Sequence, residues 1–93
     1  MIMKKIVYLD HASATPLDKR VLVSMQPYFY EKFYNPSAIY SAGKEVKQDI
    51  LKAKQLIAKH LGVQHGELIM TSGGTEANNL AISGVMDSYS GKK

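Results

Sequence analysis

Four small residues, Ser72-Gly73-Gly74-Thr75, separate an apolar run from a segment with helical spacing. A chain that enters a helix in this way leaves backbone N–H groups unpaired at the positive end of the helix dipole, which favours an anion. Glycine lets the backbone approach that anion without an intervening Cβ, and the hydroxyls of Ser72 and Thr75 are further donors. The stretch therefore indicates a site for a phosphate group.

The same residues also fit a tight turn that binds no ligand. Thr75 would then cap the helix, and Glu76 would be favourable in its first turn, although its charge would repel a phosphate if it faced the site. The stretch has neither the spacing of the P-loop nor that of the dinucleotide-binding fingerprint. Spacing alone leaves both interpretations open.

The elements around this turn combine strand-like and helix-like segments. Apolar runs predict strands over residues 6–9 and 67–71, and residues 72–74 form the turn after the second run. Apolar residues at intervals of three and four predict three helices. The first spans residues 18–33 and is broken or kinked at Pro27. The second runs from residue 38 or 41 to residue 61 and is stopped by Gly62, and the third spans residues 75–88. A strand, a turn and a helix in this order form half of a parallel α/β unit. Two strands do not make an independently stable sheet, so we expect an α/β fold that is incomplete on its own.

Composition excludes several classes of protein. The formal charge of +4 is spread along 93 residues without an aromatic-basic stripe, which disfavours nucleic-acid binding. No apolar run approaches the length of a membrane span. The chain has no cysteine, which fits a cytoplasmic location. The three histidines, His11, His60 and His65, are too scattered to predict a metal site.

Three separated stretches together resemble the start of the cysteine desulfurases, which are class V members of the fold-type-I pyridoxal-phosphate enzymes. The stretches are YLDHASATPLD, NPSAIYSAGKEV and IMTSGGTEANNLAI, and they occur in the family's order. The resemblance implies a three-layer α/β/α large domain and pyridoxal 5'-phosphate (PLP) as cofactor. Residues 1–15 would form an N-terminal strand and substrate-side loop, and residues 16–93 would begin the large PLP-binding domain.

The resemblance also assigns roles to particular residues. Gly74 and Thr75 would bind the cofactor phosphate through their N–H groups and the threonine hydroxyl, with Glu76 pointing away. Asn79 would brace the turn, and Ala12 and Ser13 would approach the substrate mainly through backbone. His11 occupies a position at which family members vary, so we expect it to have a positioning or solvent-facing role.

The activity implied for the complete enzyme is conversion of L-cysteine to L-alanine, with the sulfur transferred to an enzyme persulfide. A homodimer, a sulfur-acceptor protein and a role in iron–sulfur cluster assembly follow from the same resemblance. The lysine, histidine, aspartate and cysteine that carry the chemistry lie far downstream in family members, so we expect the 93-residue chain alone to be inactive.

Two alternatives remain open at this point. Tyr34 and Tyr40 replace a usual glycine and histidine, and Ala14 replaces a commoner threonine, which leaves open a subfamily with different substrate contacts. A different class V enzyme, such as a selenocysteine lyase or an aminotransferase, is the first alternative. A truncated, non-catalytic interaction module is the other alternative.

Overall fold

The computed structural model describes residues 3–91, whose regular structure is helical throughout. In chain order the elements are α1 (Lys19–Met25), α2 (Pro27–Tyr30), α3 (Ser41–Leu61), a 3₁₀ turn (His65–Glu67) and α4 (Gly74–Tyr89). The chain divides into two compact units, with the boundary between Lys47 and Gln48 inside α3.

In the first unit, the predicted helix over residues 18–33 is split and shortened. Asp18 caps α1 by accepting the Arg20 N–H at 2.8 Å, as the sequence predicts. Pro27 has no N–H to donate to the preceding turn, so α1 ends before it and α2 begins at it. The prediction of a break at Pro27 is confirmed, but the helical segment ends at Tyr30 and not at Phe33.

The loop before α3 closes tightly against the first turn of that helix. Asn35 accepts the Ser37 N–H through its side chain at 2.9 Å and the Ala38 N–H through its carbonyl at 3.0 Å. A Cβ on Gly43 would lie 2.6 Å from the Asn35 carbonyl oxygen and 2.9 Å from the Ala38 Cβ. Gly43 is therefore required by a close contact between backbone segments, and α3 begins at Ser41, one of the two predicted starting points.

In the second unit, α3 ends as the sequence predicts. Gly62 adopts a left-handed conformation with φ of 71°. The Val63 N–H donates to the Ala58 carbonyl at 3.0 Å, and the Gly62 N–H donates to the Lys59 carbonyl at 3.3 Å. These bonds form a Schellman motif, which satisfies carbonyl groups that the helix end would leave unpaired.

The two predicted strands are not formed in the part of the chain that the structure describes. Residues 6–9 have no regular structure, and residues 67–71 begin in the 3₁₀ turn and continue without a paired neighbour. Leu68 has extended dihedral angles, φ −94° and ψ 119°, so this backbone is strand-like in conformation. A strand also needs a hydrogen-bonded partner, and none is present within residues 3–91. The α/β class is therefore not confirmed for this chain.

Apolar side chains that helical spacing places on one face of α3 are largely exposed. Val46 in the first unit and Ala58 in the second are the buried apolar residues among residues 3–91, at 7% and 2% exposure. Ile50 and Ile57 on the predicted core face are exposed at 43% and 41%. The predicted helix is present, but its predicted core face is not buried among the described residues apart from Val46.

Candidate cofactor-phosphate site

The turn that the sequence singles out delivers the chain into α4. The helix begins at Gly74, so residues 72–73 and not residues 72–74 precede it. Gly73 is the N-cap, and it has no side chain with which to bond the first turn. Thr75 is the second residue of the helix and does not cap it, so the capping interpretation of its hydroxyl is wrong.

Glu76 is bound to the other end of the turn. Its Oε2 accepts the Ser72 N–H at 2.8 Å and the Ser72 hydroxyl at 2.5 Å. These bonds, from the hydroxyl first and the N–H second, lower the pKa of the Glu76 carboxyl from its ordinary value. The sequence predicts that Ser72 donates to a phosphate, but both of its donors are used by Glu76, so this prediction is wrong.

The carbonyl of Gly73 is also fully engaged. It accepts the Thr71 hydroxyl at 3.1 Å and the Ala77 N–H, the first hydrogen bond of α4, at 3.1 Å. Together with the Ser72–Glu76 bonds, these contacts link the turn to Thr71 before it and to the first turn of α4 after it.

The donors that the sequence assigns to the phosphate remain unused at the start of α4. Within residues 3–91, the N–H groups of Gly74 and Thr75 and the Thr75 hydroxyl make no hydrogen bond. Helix α4 has 16 residues, so its N-terminus carries the full partial charge of a helix dipole. Two N–H groups and a hydroxyl at such a position are the donor set that a phosphate group accepts from.

The two glycines have no explanation inside the chain. Gly73 has a φ of 167°, which is extended backbone, and neither Gly73 nor Gly74 is in the left-handed region. An added Cβ on either would meet no atom within 4 Å, so neither glycine is required by its conformation or by a close neighbour among the described residues. Open space over unpaired N–H groups fits the close approach of a phosphate, and we conclude that the residues present suit this group.

Asn79 lies on α4 four residues after Thr75, so both are on the same face of the helix. Its side chain is exposed and makes no hydrogen bond within the described residues. Its bracing role remains a prediction.

An apolar groove runs beside this turn in the second unit. Its volume is about 780 Å³, and it lies between residues 67–71 and α4, with Ile69, Leu80 and Val85 among its lining side chains. Gly74 and Thr75 do not line it, whereas Thr71 and Ala77 do. The groove therefore belongs to the uncovered apolar surface of this unit and is separate from the polar donor set.

Ala12 and Ser13 lie together in a turn of the first unit. The Ser13 N–H donates to the Asp10 carbonyl at 3.0 Å, so this donor is already used. The Tyr8 hydroxyl lies 2.8 Å from the Ala14 carbonyl and 3.0 Å from the Asp10 carbonyl, and its ring is 4.8 Å from that of His11. Tyr8 therefore closes the loop across its two ends, and the substrate-side role of Ala12 and Ser13 stays a prediction.

The two tyrosines that depart from the family pattern contact each other. The rings of Tyr34 and Tyr40 meet edge to face at 6.2 Å, and Phe33 stacks on Tyr34 at 4.5 Å. The two departures are therefore coupled by packing within the first unit.

Two further findings concern metal binding and membrane spanning. No group of three or more histidine, aspartate or glutamate side chains in residues 3–91 could hold a metal ion. Over the same residues, no helix has the length and apolar character needed to cross a bilayer.

Sequence reasoning missed the contributions of Tyr8 and Ser72. Tyr8 belongs to an apolar run in the sequence, and nothing in the local pattern indicates that its hydroxyl closes a loop. Ser72 and Glu76 stand four residues apart, and that spacing is the available signal for their contact.

Comparison with known proteins identifies the family. The Aminotransferase class-V family model matches residues 7–93. The cysteine desulfurase IscS of Dictyoglomus turgidum (strain DSM 6724 / Z-1310) is 50% identical over 90 residues, which cover 97% of this chain and 23% of that protein. The putative cysteine desulfurase IscS 1 of Bacillus subtilis (strain 168) is 50% identical over 78 residues, or 84% of this chain and 21% of the relative.

The cysteine desulfurase IscS of Rickettsia massiliae (strain Mtu5) is 46% identical over 88 residues, which cover 94% of this chain and 22% of that protein. The chain thus spans less than a quarter of the length of these curated relatives. Since the family model extends over nearly the whole sequence, the chain belongs to the class-V aminotransferase family and resembles the N-terminal part of cysteine desulfurases.

Proposed function

We propose that this chain is the N-terminal portion of a PLP-dependent cysteine desulfurase and that it supplies the turn that binds the cofactor phosphate. The observation that carries the proposal is the set of unpaired donors at the start of α4, on Gly74 and Thr75. The name of the relatives, cysteine desulfurase, supports cysteine as the substrate and the loss of its sulfur. The products proposed here are L-alanine and an enzyme persulfide.

In this proposal each residue of the turn has a physical task. The N–H groups of Gly74 and Thr75 and the Thr75 hydroxyl donate to phosphate oxygens, and the α4 dipole favours the negative charge. Asn79, on the same face, braces the first turn. When bound, PLP supplies the electron sink for chemistry at the amino-acid substrate, and the protein supplies its position.

The loop around Ala12 and Ser13 is proposed to contact the substrate through backbone groups. The Ser13 N–H is already bonded to Asp10, so the carbonyl groups and the Ala12 N–H are the groups available for this contact. The Tyr8 hydroxyl would keep that loop closed while substrate binds.

The remaining parts of the proposal concern the whole protein. Its large domain is a three-layer α/β/α sandwich in which residues 6–9 and 67–71 pair with strands from elsewhere in the protein. It is a cytoplasmic homodimer that passes sulfur to an acceptor protein used in iron–sulfur cluster assembly. The exposed apolar faces of α3 and α4 support this proposal, because such faces require a covering layer.

The experiment uses the protein produced from the complete reading frame that contains these 93 residues. We expect L-cysteine to give alanine and sulfide in the presence of a thiol reductant, dependent on added PLP after the protein has been stripped of cofactor. L-selenocysteine in place of L-cysteine tests the alternative lyase activity, and an amino acid with a keto acid tests transamination. Turnover of either alternative without alanine formation from L-cysteine would reject the proposed substrate.

A further inference from the structure

The contact between Ser72 and Glu76 determines which groups of the turn are available to a ligand. A single carboxylate oxygen, Oε2 of Glu76, accepts both donors of Ser72, at 2.8 Å from the N–H and 2.5 Å from the hydroxyl. Bonds to a charged acceptor are stronger than bonds between neutral groups. Ser72 is therefore held within the turn and is removed from the donor set.

The same contact fixes the position of a negative charge. Glu76 lies in the first turn of α4, where its carboxylate and a phosphate would compete for the positive end of the helix. A carboxylate free to swing over the Gly74 and Thr75 N–H groups would exclude a phosphate by occupying its donors. Bound to Ser72, the carboxylate stays at the other end of the turn.

We propose that Glu76 is a positioning residue of the phosphate turn: by binding both donors of Ser72 it holds the turn in the shape that presents the Gly74 and Thr75 donors to the phosphate. The proposal rests on the proposed function, because it requires the cofactor phosphate at this turn. Glu76 touches Ser72 and not the phosphate, so its effect on cofactor binding is indirect.

The test compares Glu76→Gln with a matched control in the protein produced from the complete reading frame. Glutamine keeps the size of the side chain, but its neutral oxygen is a weaker acceptor for the two Ser72 donors. Because Ser72 is then held less firmly, the turn is less well ordered for the phosphate, and we expect the dissociation constant of PLP to rise about tenfold. Glu67→Gln is the control, because Glu67 also accepts a backbone N–H, from Gln64 at 2.8 Å, but in the 3₁₀ turn. We expect the control to bind PLP like the parent.

Two further readouts separate positioning from a general loss of structure. Pyridoxal lacks the phosphate, so its binding should be equal in the parent and in Glu76→Gln. In the cofactor-free protein, the Ser72 amide should exchange its hydrogen faster in Glu76→Gln than in the parent or in Glu67→Gln, since its acceptor is weakened.

A double-mutant cycle tests whether Glu76 acts through Ser72. Ser72→Ala removes one of the two bonds and should weaken PLP binding in the same direction. The variant with both Ser72→Ala and Glu76→Gln should bind PLP no more weakly than Glu76→Gln alone, because the two residues form one contact. The thermal melt of the cofactor-free form shows whether Glu76→Gln folds. If it does not fold, PLP binding by Ser72→Ala tests the positioning role of Glu76 instead.

The outcomes separate this proposal from the proposed function. If Thr75→Val weakens PLP binding but Glu76→Gln leaves it unchanged or tighter, the site stands and the positioning role is overturned. Additive losses in the double variant, or an equal loss of pyridoxal binding, would also overturn that role. If neither Thr75→Val nor Glu76→Gln weakens PLP binding, the phosphate is not at this turn and the proposed function loses its main support.

Discussion

The glycines of this chain are present for different physical reasons. Gly43 is required by the Asn35 carbonyl 2.6 Å from where its Cβ would be, and Gly62 by its φ of 71°. Gly73 and Gly74 are constrained by neither a neighbour nor a left-handed conformation. We infer that their small size serves a contact outside the described residues, which is what a phosphate at this turn would provide.

Gly74→Val therefore separates folding from cofactor binding. We expect the cofactor-free protein to melt near the parental temperature, because a Cβ added at Gly74 meets no atom within 4 Å and the position lies at the exposed start of α4. PLP retention should fall further than in Thr75→Val, since a branched Cβ would stand between the backbone and the phosphate. Absorbance of retained PLP after dialysis gives the measurement.

Gly66→Val is the matched control, because Gly66 also has open space and no positive φ but lies in the 3₁₀ turn. If Gly74→Val retains as much PLP as the parent, the phosphate does not approach the backbone at Gly74 and does not explain why a glycine is present there.

The carboxyl of Glu76 gives a prediction about pH. Because Ser72 donates to it, its pKa in the folded chain is lowered from the ordinary value. The contact therefore stabilises the folded chain fully at pH values above the ordinary pKa of a glutamate carboxyl. This stabilisation is lost as the pH falls through the lowered pKa of the folded chain. The contribution to global stability is small because the group is exposed to solvent.

NMR titration of the Glu76 side chain in the cofactor-free protein should show this lowered pKa. In Ser72→Ala the pKa should move back toward the ordinary value, since the hydroxyl is the largest cause of the shift. An identical titration curve in the two proteins would mean that the hydroxyl bond does not form.

At the scale of elements, local signals predicted the helices well. The stop at Gly62, the cap at Asp18 and the break at Pro27 depend on the chemistry of one residue and its near neighbours. The strands predicted over residues 6–9 and 67–71 are not formed within residues 3–91, because pairing depends on backbone distant in sequence.

The residues of the candidate site could be predicted from the sequence, but one of their contacts could not. The residues of the turn could be found from their types and from the family resemblance, and helix α4 was placed within one residue at each end. The hydrogen bonds from Ser72 to Glu76 were not predicted, since they depend on the side-chain geometry of an exposed pair.

The end of α3 gives a prediction at this scale. Gly62→Ala would force a side chain into the left-handed region at the Schellman motif, which costs about 1–2 kcal/mol. The melting temperature of the complete protein should fall, while the dissociation constant of PLP should not change. Gly66→Ala, with no positive φ, is the control. A parental melting temperature for Gly62→Ala would contradict the conformation assigned to Gly62.

At the scale of the whole molecule, the apolar faces are the dominant feature. Large side chains such as Ile69, Leu80 and Val85, which line the groove beside α4, are exposed at 66%, 47% and 57%. Contiguous apolar surface of this kind marks an interaction site or a face that another layer covers. In the proposed function this layer is the remainder of the three-layer large domain.

The isolated 93-residue chain should therefore behave differently from the complete protein. We expect it to bind the hydrophobic dye ANS and to form no alanine from L-cysteine above the background of free PLP. The dye-binding reflects the exposed faces, and the lack of turnover reflects the absence of a cysteine from these residues. Alanine formation by the purified chain would overturn this expectation.

The central claim is that the start of α4 binds the phosphate of PLP, and Thr75→Val in the complete protein tests it most directly. The hydroxyl should donate to a charged oxygen, a bond worth roughly 1.5–3 kcal/mol. Because each 1.4 kcal/mol is a factor of ten, PLP should bind about ten- to a hundredfold more weakly. Ser83→Ala, which removes a hydroxyl from an exposed position two turns later in α4, is the control.

The decisive comparison is between PLP and pyridoxal, which lacks the phosphate. We predict that Thr75→Val weakens the binding of PLP while leaving the binding of pyridoxal unchanged, and that Ser83→Ala changes neither. Equal affinity of the parent and Thr75→Val for PLP, or an equal loss for both ligands, would contradict the assignment of this turn to the phosphate.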